Sequence, residues 1–152
     1  MGIAGHVEKP YINIEERTCP VEVVRPITPT SDPVEVLDLG AGTGLELSGL
    51  LAKAPKAKVT AIDLSAEMLD RLQGKYEERS EQLKLVRDSY LNVPLGETVF
   101  DYAISVMSMH HLLSEVEVDM YRRILRALKP GGAYLEGDYV VSEDEAQRCL
   151  AE

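Results

Sequence analysis

From residue 34 onward the apolar residues gather into short continuous runs, and stretches of helical spacing separate them. Residues 34–39 (VEVLDL) form the first run, which stops at Gly40, and residues 58–62, 83–86, 100–106 and 133–141 form four more. Runs of this length without strict alternation predict strands buried on both faces. Between them, Leu45, Leu47, Leu50 and Leu51 predict a helix over residues 44–54. Met68, Leu69 and Leu72 supply the inner face of a second helix over residues 66–79, capped by Ser65. Ser114 and Glu117 match the S-x-x-E capping box ahead of a helix to about residue 128, which Lys129-Pro130-Gly131-Gly132 breaks. Ser142 and Glu145 repeat that box before a last helix. The alternation predicts an α/β fold: a doubly wound, mainly parallel sheet with helices on both faces.

Residues 1–33 break the pattern. Pro10, Pro20, Pro26, Pro29 and Pro33 exclude a long helix and leave an irregular N-terminal segment, with room for a short strand at residues 21–24. Toward the other end, Glu136, Asp138, Glu143, Asp144, Glu145 and Glu152 stand against Arg148 alone, which reads as a solvated acidic face.

Charge narrows the function classes. The 152 residues carry 16 Lys+Arg against 26 Asp+Glu, a net charge of −10. Without a basic cluster, nucleic acid and anionic membrane surfaces are disfavoured partners. No apolar run has membrane-spanning length, and the first ten residues lack the basic start and apolar stretch of a secretion signal. Cys19 and Cys149 lie far apart and suggest neither a zinc site nor a disulfide framework, so a cytoplasmic chain with free thiols and no metal is the simplest expectation.

The candidate chemistry starts at Asp38-Leu39-Gly40-Ala41-Gly42-Thr43-Gly44, a glycine turn between the first strand and the first helix. Such a turn lets a nucleotide-like ligand approach the backbone at the carboxyl end of the strand. Its G-x-G-x-G spacing departs from the dinucleotide pattern G-x-G-x-x-G, and the Gly-Lys-Ser/Thr ending of a phosphate loop is missing. Asp38 places a carboxylate beside the loop, which suits a cationic ligand better than a pyrophosphate. Asp63 ends the second strand 19 residues after Gly44, where a carboxylate can accept from two ribose hydroxyls. Asp88 follows the third strand and could accept from an adenine amino group. A bare strand–helix turn for the glycines and an ordinary loop acid for Asp88 are the bland alternatives.

VLDLGAGTG at residues 36–44, AID ending at Asp63, RDS at residues 87–89, FDYAIS at residues 100–105 and LKPGG at residues 128–132 together resemble the successive motifs of class I S-adenosylmethionine-dependent methyltransferases. The resemblance covers residues 34–141 and implies a Rossmann-like methyltransferase domain over residues 34–152, with S-adenosyl-L-methionine as donor and S-adenosyl-L-homocysteine as product. It implies that Gly40, Ala41 and Gly42 pack against the methionine and ribose part of the donor, and that Asp38 helps to hold its amino group. Asp63 would hold the ribose, Leu64 would flank the adenine, and Asp88 and Ser89 would read the adenine edge. Val106 and Met107 would line the donor pocket. His110 and His111 fall where the family places residues of the active-site cleft, and histidine can take a proton near neutral pH. Packing under the cofactor or capping the next helix is the bland role for one of them. Tyr90 is the better cofactor-side aromatic candidate beside Tyr11, Tyr134 and Tyr139; Tyr134 and Tyr139 read better as core, and Met107 and Met109 read at least equally well as core as they do as pocket walls.

The implied reaction is methyl transfer to a small-molecule acceptor by in-line displacement. A carboxy-S-adenosylmethionine-type relative and a non-catalytic S-adenosylmethionine-binding domain are the alternatives, and a dehydrogenase is opposed by the loop spacing. The family usually has seven strands, whereas five are legible here. The expectation is therefore a domain lacking its C-terminal strands, with the fifth strand an exposed edge that a second copy in a homodimer could cover.

Overall fold

The computed structural model describes residues 11–13, 23–106, 108–109 and 112–137. Its elements are β1 (Tyr11–Asn13), β2 (Glu35–Leu39), α1 (Leu47–Lys53), β3 (Lys58–Asp63), α2 (Ala66–Lys75), β4 (Leu83–Arg87), β5 (Phe100–Val106), α3 (Ser114–Ala127) and β6 (Leu128–Gly137). The strands form one sheet in the order β1-β6-β5-β2-β3-β4, and every pairing is parallel. The strand order reverses around β2, so the crevice between β2 and its neighbours opens at the carboxyl ends of the strands.

The central strands β2, β5 and β6 are buried on both faces because each face has its own core. On one face, Val36, Val59, Ala61, Ile104 and Leu135 meet Leu47, Leu50 and Leu51 of α1, Leu72 of α2, and Val23, Val24 and Ile27. On the other, Leu37, Leu39, Ile62, Ala103 and Tyr134 meet Met120, Ile124 and Ala127 of α3. This two-sided burial is why the strands read as continuous apolar runs.

Several expectations are corrected. The carboxyl-side strand is not left as an edge, because Tyr11–Asn13 pairs along Tyr134–Glu136 of β6. The N-terminal segment therefore holds a strand at residues 11–13. Of the strand expected at residues 21–24, Val23 and Val24 are instead helical and turn residues buried under the sheet, and the other two lie outside the described residues. The first helix starts at Leu47 and leaves Leu45 56% exposed outside it. The second ends at Lys75 and passes into a 3₁₀ segment, Glu77–Gln82; Met68 is 37% exposed, while Leu69 and Leu72 carry the inner face. The Ser65 cap forms, with Met68 N–H donating to Ser65 Oγ at 3.2 Å.

The capping box at Ser114 does not form. Leu113 occupies the cap position of α3 without a side-chain bond, and Glu117 accepts from the Tyr121 hydroxyl at 2.7 Å instead. Glu136, read as part of a solvated face, is 2% exposed and accepts from the hydroxyls of Tyr121 and Tyr134. The Ser142–Glu145 helix, Tyr139 and the rest of the acidic tail lie outside the described residues.

The start of FDYAIS, at Phe100 and Asp101, meets LKPGG at the amino ends of β5 and β6, away from the crevice. Leu128 pairs with Phe100 and Ala133 with Tyr102, so Lys129-Pro130-Gly131-Gly132 bulges out of the ladder without ending the strand. A Cβ on Gly132 would lie 2.9 Å from the carbonyl oxygens of Asp101 and Lys129, so only glycine fits. Asp101 accepts from Glu35 N–H at 2.8 Å and from Lys129 Nζ at 3.3 Å, tying β2, β5 and β6 together.

Candidate active site

The crevice is a cleft of about 290 Å³ lined by Gly40, Asp63, Leu64, Asp88, Ser89, Tyr90, Leu91, Ser108 and Leu112. Its floor is set by the strand ends. The Gly40 and Ala41 N–H groups both donate to the Ile62 carbonyl, at 2.8 and 3.1 Å, which holds the glycine loop against the end of β3. Gly40, Gly42 and Gly44 all have positive φ, at 67°, 56° and 71°. A Cβ on Gly40 would lie 2.5 Å from Ser108 Oγ, whereas a Cβ on Gly42 would meet nothing within 4 Å. Gly40 is thus required by the protein's own packing, and Gly42 faces open space.

Asp63 holds the loop in place. One carboxylate oxygen accepts from Gly42 N–H at 2.8 Å, and the other accepts from Ser65 N–H at 2.8 Å. Each oxygen keeps a second lone pair, and the side chain is half-buried at the cleft wall. Asp88 is exposed; its N–H donates to the Asp63 carbonyl at 3.1 Å, and its carboxylate accepts from Ser89 N–H at 2.7 Å. Leu64, 69% exposed, stands as an apolar wall.

Asp38 lies behind the loop, fully buried, and neither carboxylate oxygen has a donor among the described residues. Burial pushes its pKa well above the usual carboxylate range. The charges of Glu46 and Asp63 push it further the same way. Because the folded value lies above the unfolded one, which is near 3.9, Asp38 favours the folded state at low pH. That contribution is lost as pH rises from the unfolded value through the raised folded value. Asp38→Asn should therefore gain stability relative to the natural chain as pH rises above about 4. Urea unfolding across that range checks it, and identical pH profiles for the two chains would contradict it.

Of the residues expected at the donor site, Gly40, Asp63, Leu64, Asp88 and Ser89 come together on the cleft. Asp38 and Gly42 stand behind and beside it. The Ala41 side chain is spent on the core, and Val106 is half-buried against the same core. Met107, His110 and His111 lie outside the described residues. Tyr134 and Met109 are buried in the core.

Three residues escaped sequence reasoning. Ser108 donates to the Tyr90 hydroxyl at 3.0 Å across the cleft mouth. Glu46, 4% exposed, looks in sequence like a favourable acid in a first helical turn, and only the fold turns it toward Asp38. Arg123 of α3 reaches the carbonyls of Tyr90 and Leu91 at 3.1 Å and of Val93 at 2.6 Å. It braces the loop that carries Asp88 to Leu91. Arg123→Ala should cost about 2 kcal/mol, the scale of charge-assisted hydrogen bonds left unmade. Thermal denaturation measures this, and an unchanged melting temperature would contradict the brace.

The family model described as a methyltransferase domain matches residues 36–132. The chain belongs to that family. Over 104 residues it is 34% identical to the biotin biosynthesis bifunctional protein BioHC of Teredinibacter turnerae, covering 64% of this chain and 18% of that protein. Over 128 residues it is 31% identical to a trans-aconitate 2-methyltransferase of Rhodopseudomonas palustris, covering 80% of this chain and 45% of that one. The chain thus spans less than half the length of these curated relatives. Among solved structures, it superposes on phosphoethanolamine N-methyltransferase 2 of Haemonchus contortus with a TM-score of 0.64 at 24% identity, covering 86% of this chain and 31% of that one. That structure holds phosphomonomethylethanolamine and S-adenosylhomocysteine. The fold is the Rossmann-like methyltransferase fold. Among the described residues, no helix is long and apolar enough to cross a membrane, and no group of three or more His, Cys, Asp and Glu could hold a metal ion.

Proposed function

We propose that this chain is the donor-binding part of an S-adenosylmethionine-dependent methyltransferase acting on a small-molecule acceptor by in-line displacement. The observation that carries the reading is one cleft at three strand ends. It joins an open glycine loop, a half-buried carboxylate with lone pairs to spare, and a buried acid whose oxygens lack donors. The residues fit the donor. The space over Gly42 admits a ligand against the backbone, and Asp38 with Glu46 wants a positive group. Leu64 offers an apolar face beside Asp88. The trans-aconitate and phosphoethanolamine enzymes named above act on small molecules, which supports the same class of acceptor here.

Bound there, S-adenosylmethionine supplies a methyl group on a sulfonium that is already electrophilic. The chain's task is then alignment, which can contribute about 7–11 kcal/mol. Asp63 would fix the ribose while holding the loop, and Asp88 and Ser89 would set the adenine edge. A base is needed only where the acceptor carries a proton. His110 and His111 are our candidates, since their sequence neighbours Ser108 and Leu112 line the cleft. The test is calorimetry with S-adenosylmethionine, S-adenosylhomocysteine and NAD. Preference for the first two is expected, and preference for NAD would overturn the reading. Methyl transfer in an acceptor panel should fall when His110 or His111 is replaced by Ala; unchanged rates for both replacements would remove the base.

A further inference from the structure

We infer that the Tyr90–Ser108 hydrogen bond is a strap across the cleft that must open before the whole donor is seated. The inference rests on the donor reading above and deepens it. The strap leaves the nucleoside end of the site accessible and weakens binding only of a ligand long enough to cross it.

The two side chains come from opposite sides of the crevice. Tyr90 follows β4 and Ser108 follows β5, and β2 and β3 lie between those strands. The parent strands are three strand spacings apart, about 14 Å. Yet Ser108 Oγ donates to the Tyr90 hydroxyl at 3.0 Å. The meeting point is over the glycine loop. A Cβ on Gly40 would lie 2.5 Å from Ser108 Oγ and 3.7 Å from a Tyr90 ring carbon. Two residues on, a Cβ on Gly42 would meet nothing within 4 Å. The cleft walls run from Asp63, Leu64 and Asp88 to Gly40, Tyr90 and Ser108 and do not include Gly42. The strap therefore stands between the nucleoside end and the open space over Gly42, and the donor reading places one ligand across both.

Both ends of the strap are anchored. Arg123 holds the carbonyls of Tyr90 and Val93 at 3.1 and 2.6 Å, Asn92 N–H donates to the Ser89 carbonyl at 2.9 Å, and Tyr90 packs against the core on the α3 face. On the other side, Met109 is fully buried in that same core, and Leu112 N–H donates to the Met109 carbonyl at 3.1 Å. With the backbone held at both ends, the strap opens by turning its side chains, and such rotations are fast. Its effect falls on affinity more than on rate. Exchanging one neutral hydrogen bond for water weakens a ligand that requires the exchange about fivefold.

The test uses Tyr90→Phe, which keeps the ring and removes the hydroxyl. Unlike a Cβ on Gly40, it releases the strap without moving a wall. S-adenosylhomocysteine and adenosine are each titrated into the 152-residue chain by calorimetry. S-adenosylhomocysteine should bind Tyr90→Phe about fivefold tighter than the natural chain, and adenosine should bind both equally. Ser108→Ala removes the other partner and should show the same pattern. Weaker or unchanged S-adenosylhomocysteine binding in either variant, or an equal gain for both ligands, overturns the inference and leaves the donor reading standing. Failure of the natural chain to bind either ligand overturns the donor reading, and the inference with it. The natural chain also carries a test that needs no variant. The nuclear Overhauser contact between the Tyr90 ring and the Ser108 β-protons should survive adenosine and vanish on adding S-adenosylhomocysteine; its survival with both ligands overturns the inference.

Discussion

Gly40→Ala should weaken S-adenosylhomocysteine binding about 100-fold, equivalent to about 2.7 kcal/mol. Two effects act together. The backbone at Gly40 has φ of 67°, a region that costs an ordinary residue about 1–2 kcal/mol. The new Cβ would also stand 2.5 Å from Ser108 Oγ and 2.9 Å from Ser108 Cβ, so the loop or the segment after β5 must move. That movement breaks the bond from Ser108 to Tyr90 and shifts two cleft walls at once. Gly42→Ala is the informative partner. It carries the same backbone cost at φ 56° but meets no atom within 4 Å. Its folded structure should survive with about 1 kcal/mol lost, while affinity falls because the methyl occupies ligand space. Calorimetry and thermal denaturation on both variants check the pair. Equal affinity for Gly42→Ala and the natural chain would mean that nothing binds over that glycine.

Asp63→Ala should have the other large effect, on stability and binding together. It removes acceptors from the N–H groups of Gly42 and Ser65, each at 2.8 Å. Hydrogen bonds to a charged group contribute about 1.5–3 kcal/mol each, so a loss of about 3 kcal/mol is expected for this half-buried pair. The loop would lose the tether that sets Gly42, and S-adenosylhomocysteine affinity should fall by more than about 100-fold. Asp63→Asn retains one acceptor oxygen and should recover about half of the stability but little of the affinity. A variant that kept full stability would show that Asp63 does not organise the loop.

Much of this was legible in the residues. Strands β2 and β5 follow from apolar runs, because strands covered on both faces leave little polar alternation to confuse them. Ser65 declared its cap, and the three strand-end carboxylates fell where the spacing put them. What stayed hidden depends on tertiary partners. Nothing local separates Ser114 as a cap from Ser114 as a first helical residue, and Tyr121 takes the Glu117 carboxylate that a capping box would have used. Glu136 reads as a surface acid because burial of its carboxylate depends on distant tyrosines. Tyr11–Asn13 was invisible because three residues carry too little pattern, and pairing with β6 alone defines them. FDYAIS and LKPGG came with the donor-site motifs, yet Asp101 and Gly132 serve the sheet at its far end.

The most direct measurement is an amide NMR titration of the 152-residue chain with S-adenosylhomocysteine. The largest shifts should fall at Gly40, Gly42, Asp63, Leu64, Asp88 and Ser89, with smaller ones along Tyr90 and Leu91. Unmoved amides at the glycine loop, or shifts confined to the groove between Val93 and Phe100 on the other face of the sheet, would contradict it.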